Sequence, residues 1–414
     1  MQSMNETPMA NRFTIGLFGR RNAGKSSLIN ALAGQPVAVT SEVAGTTTDP
    51  VYKAMELLPL GPIVLIDTAG LDDTGELGAL RIEKTYEVLR KTNLALVVVD
   101  ARDGITKFET EFIYELVQRK IPSVCVLNKC DRYIADEEKV KGIRELIKIP
   151  VVSVSAQDST GIDQLKEQII ASSNYEDTQP ELVGDLIRAG DIAVLVTPID
   201  SGAPKGRLIL PQQQTIRAIM ENDAVAIVAK EHELRLTLER LKAPPAIVIT
   251  DSQAFFKVSA DTPRGVPLTS FSILFARQKG DLAEMIRGIK RIEQLKAGDK
   301  VLIVEGCTHH RQADDIGKVK IPRWIKQVTG GDIAFEWASG AHYPKDITQY
   351  AVIVHCGGCM LNRREMQYRV EKARDQGVYI TNYGILIAYV EGILPRALQP
   401  FPEARLALDA NELQ

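Results

Sequence analysis

Gly19-Arg20-Arg21-Asn22-Ala23-Gly24-Lys25-Ser26 follows directly on the apolar run Arg12–Phe18. Two glycines five positions apart, then a lysine and a hydroxyl, let the backbone wrap closely round phosphate oxygens with its N–H groups turned inward. Ser27–Ala33 has the composition of a helix, and its positive end then faces the phosphates. Lys25 is placed to reach the β- and γ-phosphates and Ser26 to bind Mg²⁺. Strand, loop and helix in this order predict an α/β P-loop fold, with Asn22, Ala23, Gly24, Lys25, Ser26 and Ser27 around the phosphates.

Further signals follow, each at the carboxyl end of an apolar run. Ile63–Ile66 delivers Asp67-Thr68-Ala69-Gly70, where Asp67 is suited to hold Mg²⁺ through water and the Gly70 N–H to sense a γ-phosphate. Leu94–Val99 precedes Asp100, and Ser123–Leu127 ends in Asn128-Lys129-Cys130-Asp131. The Asp131 carboxylate can accept from both N1 and N2 of guanine, a donor pair that adenine lacks, so GTP is the expected nucleotide. Val151–Val154 leads to Ser155-Ala156, a loop suited to guanine O6. Any one of these could be a plain strand-to-loop turn. The ordered set matches the crevice rule for open α/β sheets.

The 414 residues predict about three domains at roughly 100–200 residues each. A net charge of −3 argues against broad nucleic-acid binding. No apolar run approaches the ~20 residues of a membrane helix, and the polar start Met1–Asn11 lacks a secretory apolar stretch. Five cysteines, an odd number in a long chain, fit a reducing cytoplasm better than a disulfide framework.

Arg12–Ser172 resembles the bacterial GTPases related to the tRNA-modification GTPase. Within Gly45-Thr46-Thr47-Thr48-Asp49, Thr47 aligns with the Mg²⁺-binding threonine of the first switch, and Thr46 is the alternative register. The resemblance implies that Lys25, Thr47 and Gly70 carry hydrolysis. Leu71 stands where many switch GTPases keep a water-orienting glutamine. A leucine cannot do this, which implies slow hydrolysis or help from a bound cation and a partner surface. Asn22 matches the asparagine that coordinates K⁺ in cation-dependent relatives.

Residues 174–268 open on a polar linker and carry no nucleotide motif. Ile192–Thr197, Ala224–Val228 and Ala246–Thr250 read as strands separated by helices over Gln213–Met220 and Glu233–Leu241, a β-α-β-α-β unit. Its exposed edges predict pairing with a second copy, hence a homodimer. His232, in a charged run, reads as a solvated helix start.

Residues 269–414 predict another α/β layer. Val301–Val304 ends at Glu305-Gly306-Cys307-Thr308-His309, and Ala351–Val354 at His355-Cys356-Gly357-Gly358-Cys359. Parallel strands would bring Cys307 near Cys356 and Cys359. Soft thiolates select zinc or an iron–sulfur cluster. Zinc would take the three cysteines and one histidine, while a 4Fe–4S cluster would leave one iron for His309, His355, a carboxylate or an exogenous ligand. Residue chemistry leaves the two open.

Cys-x-His, a long spacer and His-Cys-x-x-Cys behind this GTPase domain resemble the FeFe-hydrogenase maturation GTPase (HydF family). The likeness extends to Ala193–Pro211 and Thr381–Gly392. It implies a 4Fe–4S cluster on Cys307, Cys356 and Cys359, with His309 and His355 as candidate fourth ligands. It further implies a scaffold that receives a di-iron precursor from two radical-SAM enzymes and delivers it to apo-FeFe-hydrogenase. The expected architecture is a three-domain α/β chain: a P-loop GTPase domain over 1–173, an interaction domain over 174–268 and a cluster domain over 269–414, the last two with parallel sheets. A rival from another class is an RNA- or ribosome-associated GTPase with a structural zinc, and a plain signalling switch is a further one.

Overall fold

Six strands in the first part of the chain form one sheet: β1 (Phe13–Phe18), β2 (Val51–Leu57), β3 (Gly61–Asp67), β4 (Leu94–Asp100), β5 (Ser123–Asn128) and β6 (Val151–Ser153). Their order is β2-β3-β1-β4-β5-β6, parallel throughout except for the antiparallel β2–β3 pair. The computed structural model describes residues 7–34, 50–70, 76–133, 137–173, 180–198, 208–306, 315–340 and 343–410. It divides into two compact units, residues 1–178 and 179–414.

In the first unit β4 is buried along its whole length. Because side chains alternate across a strand, Leu94, Leu96 and Val98 enter one core while Ala95, Val97 and Val99 enter another. The helices Lys25–Ala33 and Ile162–Ser172 cover the first face. The helices Glu76–Lys91, Lys107–Gln118 and Glu137–Ile147 cover the second. The sheet is therefore doubly wound, and its loops leave from the carboxyl ends of β1, β3, β4, β5 and β6.

The second unit holds two four-stranded parallel sheets. One comprises β7 (Ile192–Val196), β8 (Val225–Ala229), β9 (Ile247–Thr250) and β10 (Leu268–Ser270), in the order β10-β9-β7-β8. The other comprises β11 (Lys300–Glu305), β12 (Ala334–Ser339), β13 (Val352–His355) and β14 (Tyr379–Asn382), in the order β12-β11-β13-β14. Both sheets contribute to a single hydrophobic core. The three-strand unit expected from the sequence gains β10, whose Leu268 pairs with Val248, so this sheet takes residues on both sides of position 268. Between the sheets in sequence runs the helix Phe271–Lys279, whose Phe271, Ile273, Leu274, Phe275 and Ala276 are all buried. The helix Leu282–Glu293 approaches β14 so closely that a Cβ at Gly288 would lie 2.0 Å from the Ile380 carbonyl oxygen. Among the described residues, no helix is long and apolar enough to cross a membrane.

Candidate functional site

The phosphate loop is shaped by close approaches. Gly19 ends β1 with φ +148°, and a Cβ there would fall 2.2 Å from the Val98 carbonyl oxygen of β4. Gly24, at φ +91°, brings its α-carbon so near Asn128 that a Cβ would meet Nδ2 at 2.3 Å. Asn22 also has a left-handed backbone, φ 63°, which asparagine tolerates better than most residues. Lys25 is buried, its Nζ donating to the carbonyls of Gly19 and Arg20, both at 2.9 Å. Ser27 is exposed in the first helical turn, and Ala23 is buried.

Ser26 Oγ donates to Asp67 Oδ2 at 2.5 Å. The other oxygen, Oδ1, is buried with no hydrogen-bond partner. Burial pushes the Asp67 carboxyl above its ordinary range, against the Ser26 hydrogen bond and the Lys25 charge. A buried, half-satisfied carboxylate beside a hydroxyl is a donor set that fits a hard divalent cation such as Mg²⁺. Thr68 Oγ1 donates to the Leu17 carbonyl at 2.6 Å and pins the loop that carries half-buried Gly70. Thr46, Thr47 and Leu71 lie outside the described residues.

The base-side loops are braced against the phosphate loop. Asn128 Nδ2 donates to the Ala23 carbonyl at 3.0 Å, and Asn128 Oδ1 accepts from Ala156 N at 3.1 Å. Lys129 Nζ donates to the Asn22 carbonyl at 2.6 Å and pairs with Asp100 Oδ2 at 2.8 Å. Ser155 Oγ donates to Asp131 Oδ1 at 2.8 Å, which orients the carboxylate expected to read guanine. Two bracing groups escaped the sequence reading: Asp100 as the Lys129 partner, and buried Glu109, which pairs with Arg20 Nε at 2.6 Å. Glu109 also closes a capping box with Thr106, and that Thr-x-x-Glu spacing was its one sequence signal.

The second constellation hangs from β13, with Val304 opposite His355 and His355 opposite Asn382. Cys356 Sγ accepts from Gly306 N at 3.0 Å and from Gly358 N at 3.4 Å. Burial raises both the Cys356 and Cys359 thiols, while those N–H groups lower the first and Lys279 lowers the second. Soft sulfur donors, backbone N–H groups aimed at one of them and a left-handed Gly358 (φ +61°) fit a thiolate-bound metal or cluster.

His355, a candidate fourth ligand, has a partner at each ring nitrogen. It is wholly buried, and Arg369 Nη1 lies 3.0 Å from Nε2. A guanidinium only donates, so Nε2 accepts and Nδ1 carries the proton, donating to the Cys356 carbonyl at 2.8 Å. Burial first, then Arg369, pulls its pKa down to about 3. In this arrangement both ring nitrogens are hydrogen-bonded and tie the Cys356 loop to Arg369. Arg369 is itself held by Glu365 at 2.9 Å and by the Gly340 carbonyl at 2.9 Å. Cys307 and His309 lie outside the described residues, and among those described no group of three or more His, Cys, Asp or Glu is placed to hold a metal. Cys125 is buried in β5 and Cys130 bonds the Leu127 carbonyl.

Residues 14–129 match the 50S ribosome-binding GTPase family, so the first unit carries a GTPase domain, whose chemistry is hydrolysis of GTP with Mg²⁺. It is similar to the tRNA modification GTPase MnmE of Chromobacterium violaceum, 38% identical over 160 residues, 38% of this chain and 34% of the relative. It is also similar to the GTPase Der of Sulfurimonas denitrificans, 34% identical over 176 residues, 40% of this chain and 35% of the relative. The chain therefore spans about a third of the length of these curated relatives. A solved structure of Era in complex with MgGDPNP is 18% identical, covering 60% of this chain and 98% of that one, with a TM-score of 0.35. Residues 182–280 match the hydrogen maturase F dimerization domain and residues 283–400 the hydrogen maturase F tetramerization domain. These two domains together span more than half of the chain, which belongs to the hydrogen maturase F family.

If Asp131 reads guanine as expected, Asp131→Ala removes two charge-assisted hydrogen bonds, each worth about 1.5–3 kcal/mol. Titration with a fluorescent GTP analogue should show affinity falling by roughly a hundredfold or more. An unchanged affinity would remove Asp131 from the base site.

Proposed function

We propose that the chain is a GTP-hydrolysing scaffold and carrier for assembly of the FeFe-hydrogenase active site. It holds a 4Fe–4S cluster on Cys307, Cys356 and Cys359, takes up a di-iron precursor from two radical-SAM enzymes and passes it to apo-FeFe-hydrogenase. The observation that carries the reading is the Cys356 sulfur, which receives two backbone N–H groups at the carboxyl end of β13, inside the span matched to a maturase domain. Three-cysteine ligation, when the cluster is bound, supplies one iron with an exchangeable position. The engagement of both His355 nitrogens supports a fourth position filled from elsewhere, His309 being the remaining histidine candidate of the motif.

In the GTPase domain, Lys25 neutralises phosphate charge, Ser26 and Asp67 hold Mg²⁺ with Thr47, and the Gly70 N–H faces the γ-phosphate. Asn22 contributes a K⁺ ligand from the lip of the loop, where its side chain is exposed. Asn128, Lys129, Asp131, Ser155 and Ala156 form the base site.

Self-association follows from the first sheet of the second unit. The strand β8 is its edge, and Val225 and Val228 stand exposed on it at 51% and 44%. An open edge carrying apolar side chains is a template for a second strand, so two copies pair through β8.

Anaerobically purified protein should be brown, and Cys356→Ser should lose the colour while GTP hydrolysis persists. A colourless, zinc-containing wild type would favour the ribosome-associated alternative. Hydrolysis should run faster in K⁺ than in Na⁺, and equal rates would remove Asn22 from the mechanism. Val225→Lys with Val228→Lys should shift the sedimentation coefficient to a smaller species, whereas an unshifted value would place the dimer contact elsewhere.

A further inference from the structure

Lys279, the last residue of the helix Phe271–Lys279, is only 5% exposed. An ammonium has three N–H donors, and here three carbonyl oxygens of one turn receive it: Gly358 at 3.3 Å, Cys359 at 3.2 Å and Leu361 at 2.8 Å. The Phe275 ring lies 5.2 Å away. No carboxylate is among these partners. Arg369, the other buried cation near this loop, is matched by Glu365. Burial pulls the Lys279 pKa down to about 8, and Cys359 and Cys356 are the ionisable groups that oppose that shift.

A buried ammonium costs several kcal/mol unless an opposite charge lies close. Neutral thiols do not provide that charge, whereas metal-bound thiolates do. We propose that Lys279 is a positioning residue for the iron–sulfur site: it gathers the 358–361 turn into its ligating shape and supplies the fixed positive charge that offsets the thiolates of Cys356 and Cys359. The inference rests on the iron–sulfur reading given above. It also joins the two maturase domains, since the lysine belongs to the helix that follows the first sheet and the turn belongs to the second. One-electron reduction adds negative charge to a cluster, and a fixed cation nearby favours it.

The test uses the full chain, loaded anaerobically with ferrous iron and sulfide, with iron content and a redox titration followed by paramagnetic resonance as readouts. Lys279→Gln keeps donors but loses the charge, and its cluster should reduce at a more negative potential than the wild type. Lys279→Arg should return the potential towards wild type. Equal iron content and equal potential in Lys279→Gln would overturn the proposal. If Lys279→Gln takes up no iron, recovery of iron in Lys279→Arg supports the proposal and failure of both overturns it. A wild type that takes up no iron would instead overturn the iron–sulfur reading on which the inference stands.

Discussion

Parallel pairing of β11 with β13, Val304 opposite His355, carries the end of one strand to the side of the next strand's loop. Gly306 can then donate to the Cys356 sulfur although the two are 50 residues apart. The same constraint operates in the first unit, where the parallel strands β1, β3, β4 and β5 end at a common edge. Loops with little structure of their own are thereby held within hydrogen-bond reach of one another. Antiparallel connections would send alternate loops to opposite edges and separate these groups.

Charge buried at those edges fixes the loops. Lys25 points into the phosphate loop and caps two of its carbonyls, while Lys129 ties the base loop to Asn22 and Asp100. In the second unit Arg369 collects Glu365, His355 and the Gly340 carbonyl, and Lys279 gathers three carbonyls of the cysteine turn. A cation with several donors can organise several backbone segments at once, which an apolar residue cannot.

The strands that sit inside their sheets were legible because burial on both faces writes a continuous apolar run, as in Leu94–Val99 and Val301–Val304. The edges were not. Val51–Leu57 is half-exposed, Leu268–Ser270 spans three residues, and Ala334–Ser339 is mostly intermediate in burial, so none leaves a distinctive pattern. The helices Phe271–Lys279 and Tyr383–Val390 are buried over most of their surface and lack the polar face that marks a helix in sequence. At the sites, the described motif residues Asp67, Asn128 and His355 lie at strand ends, and the Arg369 contact to His355 carried no signal in the sequence. Lys279 was invisible, since its partners lie 79 to 82 positions away and a single lysine carries no periodic signal.

The proposed scaffold combines a GTP-hydrolysing unit with a three-thiolate iron–sulfur site. Mössbauer spectroscopy of the full chain after anaerobic loading with ⁵⁷Fe and sulfide addresses that claim most directly. The predicted result is about four irons per chain in a cubane spectrum, with one iron distinguishable from the other three, as three-cysteine ligation requires. Zinc at one per chain with no bound iron would contradict it.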